Sequence, residues 1–401
     1  MNILQININY SIGSTGNIVR NIENLLQIKG FNSFVAFGRD DYINYNTILI
    51  GSKIDVYVHM LGTRLFDKHG LYSQKATKKF IEDVEKLDID VFHLHNIHGY
   101  YLHYPTLFKY LKEKNKPVVW TLHDCWSFTG HCTHYNYIGC DRWQTMCYSC
   151  PQKSRYPASY IFDNSKENFL LKKEYFTSLD KLTIVAPSHW LANEVKKSFL
   201  KDFDIKVIYN GIDLNIFQPR KSDFRKKFKL DNDFLILGVS GVWTDRKGFN
   251  HFLELAKMLK DDEKLVLVGL DDKQLNNLPK NIIGIKKIVN QKELSNIYSA
   301  VDVFVNLTLE EVLGLTNIES LACGTPVITF NSGGSPETID INTGISVDKG
   351  NLDKVYEAIQ IIKKNRKETY SIHCLNRAKQ YFDKDNNFNE YIKLYENLIK
   401  E

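Results

Sequence analysis

Apolar residues recur along this chain at two alternating periods. Short runs that are apolar at nearly every position, at 3–8, 33–36, 91–95, 118–122 and 182–187, read as buried strands. Between them, at 16–29, 74–86, 104–115 and 188–197, apolar residues return every three or four positions and predict helices. The alternation resumes with strands at 234–240, 264–268, 282–284, 303–306 and 327–329 and helices at 249–260, 291–300, 316–322 and 352–364. Strands separated by helical crossovers predict parallel sheets and an α/β class. Turn chemistry at Asn210-Gly211, followed by Pro219, divides the two series. The expected domains are therefore 1–205 and 206–380. Beyond them, a tail at 381–401 carries Phe388, Tyr391, Ile392, Tyr395 and Leu398 at helical spacing. Only 125–165 breaks the rhythm. It is rich in Cys, Tyr, Trp and Gly and is expected to be an irregular insertion.

Charge narrows the function classes. The 401 residues include 52 basic and 47 acidic ones, a formal net charge of +5, which is too slight to argue for nucleic acid. It allows a weak attraction to anionic lipid. No apolar run is long enough to span a bilayer, and the first residues read as a strand rather than an export signal. The expectation is a cytoplasmic protein with peripheral contact at the inner face of the membrane. Seven cysteines are then thiols or metal ligands rather than disulfides.

The most informative stretch runs from Glu311 through Gly314 and Glu319 to the strand at Val327. It places one carboxylate in a loop and a second just inside a helix. Gly314 between them lets backbone approach a ligand. A helix start offers unpaired N–H groups and a positive dipole end, which suit a diphosphate. Carboxylates suit vicinal hydroxyls. Phosphate on amides and hydroxyls on acids together describe a nucleotide-sugar site. Two loops after strands add candidates: Gly13-Ser14-Thr15-Gly16 after the first strand, and Gly241 to Gly248 with Arg246 and Lys247. His123-Asp124 and His95-Asn96 end two strands of the first series, where doubly wound sheets bind ligands. His93, two residues before His95, is expected to be core. Paired acids at 40–41, 261–262 and 271–272 lie outside strand-end context and read as solvated faces and turns.

These motifs resemble the retaining glycosyltransferases of family 4, with the GT-B fold: two Rossmann-like doubly wound parallel-sheet domains facing a cleft. The stretch from Thr121 to Pro157 looks like a subgroup that includes the WcaC-like colanic-acid transferases. The resemblance implies that Glu319 accepts from ribose hydroxyls and that Glu311 holds sugar hydroxyls. It assigns the diphosphate to the amides of Gly314, Leu315 and Thr316, with Lys247. The family arginine is replaced by Val242, and Arg246 is the candidate substitute. His123 is implied as the histidine at the reacting centre, so His123, Glu311 and Lys247 form the expected catalytic set. Gly13 and Gly16 belong to the loop that faces the donor, and Ser14, Thr15, His95, Asn96 and Asp124 are expected on the acceptor side. Asp124 either orients His123 or binds acceptor.

The resemblance implies transfer from a nucleotide diphosphate-sugar to a glycan or lipid-linked acceptor in surface polysaccharide assembly, without a catalytic metal. A nucleotide-sugar 2-epimerase, or a sugar-binding module without turnover, is the alternative. Cys132, Cys140, Cys147 and Cys150, ending in a Cys-x-x-Cys, have zinc-like arithmetic and are expected either to hold a structural zinc or to form a metal-free thiol-rich loop.

Overall fold

The computed structural model describes residues 1–40 and 45–400. It divides into two compact units. One runs from Met1 to Ile208 and takes in the chain again from Phe388; the other runs from Tyr209 to Asn387.

In the first unit the strands are β1 (Asn2–Asn7), β2 (Asn32–Phe37), β3 (Thr47–Leu49), β4 (Val91–Leu94), β5 (Val118–Thr121), β6 (Leu182–Ala186) and β7 (Asp204–Val207). They form a seven-stranded parallel sheet in the order β3-β2-β1-β4-β5-β6-β7. The helices are α1 (Gly13–Ile28), α2 (Lys53–Phe66), α3 (Gln74–Val84), α4 (Tyr104–Lys114), α5 (Ser165–Phe176) and α6 (His189–Val195). β4, β5 and β6 are buried at every position, because crossover helices cover a parallel sheet on both faces.

The second unit holds β8 (Phe234–Val239), β9 (Glu263–Leu270), β10 (Ile282–Lys286), β11 (Val303–Asn306), β12 (Val327–Phe330) and β13 (Gly344–Val347), again all parallel, in the order β10-β9-β8-β11-β12-β13. Its helices are α7 (Phe224–Phe228), α8 (Phe249–Ala256), α9 (Asp272–Asn276), α10 (Gln291–Ala300), α11 (Leu315–Ala322), α12 (Leu352–Asn365) and α13 (Lys367–Tyr381). In each sheet the strand order reverses once, between β1 and β4 and between β8 and β11. Loops leaving the carboxyl ends of those strands diverge there and leave a crevice for a ligand.

The last helix, α14 (Lys384–Lys400), returns its apolar stripe to the first unit. Phe388, Tyr391, Ile392 and Tyr395 are buried in one cluster with Ile3 of β1, Ile18 and Ile22 of α1, Val91 and Val119. Its tyrosines also reach polar partners. Thr121 donates its hydroxyl proton to the Tyr391 oxygen at 3.1 Å, so the same hydroxyl must accept from Nε2–H of His93, 2.8 Å away. That leaves Nδ1 of His93 to accept from the Tyr395 hydroxyl at 2.6 Å.

Several elements differ from the sequence reading. α1 begins three residues earlier than expected, at Gly13. α2, α5, α13, β3, β7 and β13 were not anticipated. α2 contains the β-prone run Ile54-Asp-Val-Tyr-Val58, yet a reciprocal cap decides for helix: the Ser52 hydroxyl accepts from the Asp55 amide, and Asp55 accepts from the Ser52 amide. The 125–165 insertion contains two single 3₁₀ turns, at Trp126–Phe128 and Arg142–Gln144. Lys172 of α5 pins it, donating to the carbonyls of Trp126 and Thr129 at 2.8 and 3.0 Å. Asp40 is buried rather than solvated; its pair-mate Asp41 lies outside the described residues. Among the described residues no helix is long and apolar enough to cross a membrane.

Replacing Tyr391 by Ala should remove both ring packing and a hydroxyl partner. The expected cost is about 3–5 kcal/mol of stability, read by denaturant unfolding of the full chain. A loss below 1 kcal/mol would show that α14 is not part of the first unit's core.

Candidate functional site

In the second unit the loops after β8 and β11 are fastened to each other. Trp243 is buried and donates from Nε1 to the Val268 carbonyl at 2.9 Å, anchoring the first loop. Gly248 has φ +80, and a Cβ there would lie 2.2 Å from the Leu307 carbonyl oxygen, so only glycine allows the approach. The Leu309 amide donates to the Arg246 carbonyl at 2.8 Å. Across this seam Nζ of Lys247 meets Oε2 of Glu311 at 2.8 Å, with both side chains about three-quarters buried. Oε1 of Glu311 also accepts from the Val312 amide at 3.2 Å. Lys247 and Glu311 are thus brought together. Arg246 contributes its backbone to the seam and its side chain is half-buried, while Val242 is 70% exposed.

The second loop ends at Gly314, in the left-handed region at φ +91, which re-aims the chain into α11. No side chain caps this helix start, so the first-turn amides at Leu315 and Thr316 are offered outward. The turn is held from behind. Asn306 donates to Oδ1 of Asn317 at 2.8 Å, and Asn317 donates to the Thr338 hydroxyl at 3.0 Å. One turn into α11, Glu319 accepts from the Tyr298 hydroxyl at 3.0 Å. Burial raises its carboxyl to about 7, outweighing that hydrogen bond. An acid kept short of donors in this way is suited to a pair of hydroxyls. Tyr298 was not singled out in the sequence, since an aromatic in a helix stripe reads as core.

In the first unit, Asn7 at the end of β1 connects two expected segments. Its Oδ1 accepts from the Asn96 amide at 3.2 Å and its Nδ2 lies 3.5 Å from the Thr15 hydroxyl. The loop between β1 and α1 is tied by Asp40, whose Oδ2 accepts from the amides of Tyr10 and Ser11 at 3.2 and 2.9 Å. Gly13 and Ser14 are exposed, and Gly16 is buried against the backbone of Ser11.

His95, Asn96, His98, His123 and Asp124 line one small pocket at the ends of β4 and β5. The Gln5 amide fixes proton positions there. Its Nε2 donates to the Val19 carbonyl at 3.2 Å, which leaves Oε1 to accept from Nε2–H of His95, also at 3.2 Å. His95 therefore presents a bare Nδ1, and His123 must donate to it from Nε2–H at 3.0 Å. The two rings stack at 5.3 Å, and the His93 ring lies behind His95, tilted by 38° at 3.9 Å. Burial lowers His123 to about 4, despite the nearby Asp124 charge, so the ring is neutral at neutral pH with Nδ1 as acceptor.

Asp124 does not orient His123. It accepts from Nε2 of His98 at 2.9 Å and from the Trp126 amide at 2.9 Å. Burial alone would raise its carboxyl, but His98 and that amide hold it at about 2. His95 and Gln5 are the orienting residues. A polar pair at period two in a buried strand, Gln5 and Asn7, was the signal that would have revealed them.

Cys132, Cys140, Cys147 and Cys150 do converge on one pocket, together with His131. The Gly130 amide donates to the Cys147 sulfur at 3.2 Å. A hydrogen bond from the Cys132 thiol lowers Cys150 to about 7, while that bond and burial raise Cys132. None of the seven cysteines is in a disulfide. Among the described residues no group of three or more His, Cys, Asp and Glu side chains is arranged to hold a metal ion.

Comparisons with known proteins bear on the family and the fold. Residues 16–216 match the profile described as Glycosyltransferase Family 4, and residues 220–380 match Glycosyl transferases group 1. The putative colanic acid biosynthesis glycosyl transferase WcaC of Escherichia coli K12 is 25% identical over 333 residues, covering 77% of this chain and 76% of WcaC. Among solved structures, sucrose-phosphate synthase from Thermosynechococcus elongatus superposes with a TM-score of 0.72 at 19% identity, over 100% of this chain and 99% of that one. Anabaena Alr3699/HepE in complex with UDP-glucose gives 0.68 at 15% identity, over 99% and 100% of the two chains. At such identities the structural likeness speaks for the fold, which is GT-B.

The Glu319 carboxyl yields a pH test. Unfolded, it loses its proton near the ordinary 4.5; folded, it keeps it to about 7. Through that window the native state holds a proton that the unfolded chain has released, so stability falls as pH rises. Glu319→Gln should therefore raise the melting temperature of nucleotide-free protein near pH 8 and change it little near pH 4.5. Equal shifts at both pH values would contradict the raised pKa of this acid.

Proposed function

The chain belongs to glycosyltransferase family 4, and from that membership we propose that it moves a sugar from a nucleotide diphosphate-sugar to a glycan or lipid-linked acceptor in surface polysaccharide assembly. The colanic-acid relative supports the pathway class, and UDP-glucose bound to Alr3699/HepE supports the donor class. The observation that carries the reading is the Lys247–Glu311 pair beside the uncapped start of α11, with Glu319 one turn further on.

In this reading the diphosphate takes Lys247 from Glu311 and rests on the amides of Gly314, Leu315 and Thr316. Glu311, released, accepts from sugar hydroxyls, and Glu319 accepts from the ribose diol. The bond from the anomeric carbon to the diphosphate oxygen breaks, and a bond to the acceptor oxygen forms on the same face. The acceptor proton passes to the departing phosphate. The amides and Lys247 stabilise the charge on the leaving group. His123, neutral and held by His95, serves as a hydrogen-bond partner for a sugar hydroxyl and not as an acid. Ser14, Thr15, Asn96 and Asp124 are assigned to the acceptor side.

No divalent ion is assigned a step. Asp262 is paired with Lys363 at 2.7 Å and Asp271 caps α9. The four cysteines are proposed to hold a structural zinc. Their shared pocket and the amide donated to the Cys147 sulfur support this, and binding would require the sulfurs to draw together into a tetrahedron.

Nucleotide release from a panel of donors, with and without acceptor, tests the transfer. Release stimulated by acceptor is expected; product formed without acceptor would mean epimerisation instead. Lys247→Ala should lower turnover about a hundredfold. Glu319→Ala should weaken binding of the free nucleoside diphosphate by about tenfold or more, whereas Glu311→Ala should chiefly lower turnover. A chelator should leave the initial rate unchanged.

Metal analysis of untagged protein should find about one zinc per chain. Stripping it should lower thermal stability before activity. Metal-free protein with all four thiols reactive in the folded state would leave only a thiol-rich loop.

A further inference from the structure

Helix α2 exposes more apolar surface than an ordinary surface helix. Its fully buried residues are polar, His59 and Thr63, with Val56 and Met60 half-buried. Nε2 of His59 accepts from the Gly70 amide at 2.9 Å, so Nδ1–H donates to the Ser73 hydroxyl, also at 2.9 Å. The outward face is apolar. Ile54, Tyr57, Val58 and Leu61, at helical spacing, are 75%, 61%, 53% and 46% exposed. Phe66 at the helix end extends the stripe by stacking on exposed Phe162 at 5.7 Å. That neighbouring segment is fixed to the helix end, because the amides of Tyr160 and Phe162 donate to the carbonyls of Arg64 and Leu65. Leaving so much apolar surface in water is unfavourable unless something covers it.

Charge selects what covers it. Lys53, Arg64 and Lys68 are exposed beside the stripe. The nearby acids are committed to the protein: Asp55 closes the cap with Ser52, buried Asp67 bonds to His131 and the Asn164 amide, and exposed Asp163 accepts from the amides of Cys150 and Ser165. A second copy docked face to face would set these cations against their own counterparts. An anionic lipid headgroup layer would complement them while its acyl boundary takes up the stripe. We propose that the outward face of α2, with Phe162 beside it, is a docking surface for an anionic phospholipid bilayer, lying in the plane of the interface. This surface is separate from the residues assigned to the donor and does not depend on the transfer reaction.

Sedimentation of the full chain with vesicles tests it. Phosphatidylcholine vesicles containing phosphatidylglycerol should bind the protein, phosphatidylcholine alone should bind it far less, and added salt should weaken binding. Val58→Asp with Leu61→Asp should weaken binding at least about tenfold, and Arg64→Gln about fivefold. Both variants should keep the wild-type melting temperature and nucleoside diphosphate affinity, since these side chains are exposed. Three results would overturn the proposal: no binding to the anionic vesicles, equal binding to both kinds, or wild-type binding by the Val58→Asp, Leu61→Asp protein. A wild-type dimer in sedimentation equilibrium that this variant splits would assign the face to a second copy instead.

Discussion

Both candidate clusters in this protein depend on one constraint of parallel sheets. Adjacent parallel strands all end on the same edge, and where their order reverses the following loops diverge. The sheet interior must be apolar, but the strand ends need not be. Polar side chains therefore gather at β1, β4 and β5 in the first unit and at the ends of β8 and β11 in the second. Asn7, His95 and His123 meet on one such edge. Lys247 and Glu311 meet on the other.

The two edges are organised differently. In the second unit the residues are assembled around a charge exchange. An ion pair satisfies Lys247 and Glu311, and in the proposed reading a diphosphate takes the cation from it. Glu319 is a half-buried acid with one tyrosine donor. In the first unit the histidines of the edge are neutral and fixed. A chain of hydrogen bonds from the Val19 carbonyl through Gln5 and His95 leaves His123 a single tautomer. Burial keeps these histidines uncharged, so the two rings offer directed hydrogen bonds, and the charge on this edge is that of Asp124.

Helix α14 joins the packing argument to the site. Its apolar stripe lies in the same cluster as β1, β4 and β5, and its tyrosines set the tautomer of His93, whose ring packs against His95. A packing residue at the end of the chain thus reaches, through two rings, the histidine of the candidate site. The Cys-rich insertion is fastened by another kind of contact, the buried Lys172 ammonium under Trp126.

Read alone, the sequence determined the two alternating series, the parallel α/β class and the family, because buried strands and amphipathic helices write their periods directly into residue order. It also singled out Lys247, Glu311, Glu319 and His123, whose loops sit beside recognisable strand ends. Tertiary structure alone decided which polar groups meet. That His95 rather than Asp124 orients His123 depends on Gln5, some ninety residues earlier in the chain and a neighbour only through β1–β4 pairing. That Lys247 answers Glu311 depends on a glycine letting two loops touch. The outward apolar face of α2 was equally hidden. A helical stripe gives the spacing of its residues, but only the packed fold shows whether that stripe faces a core or the solvent.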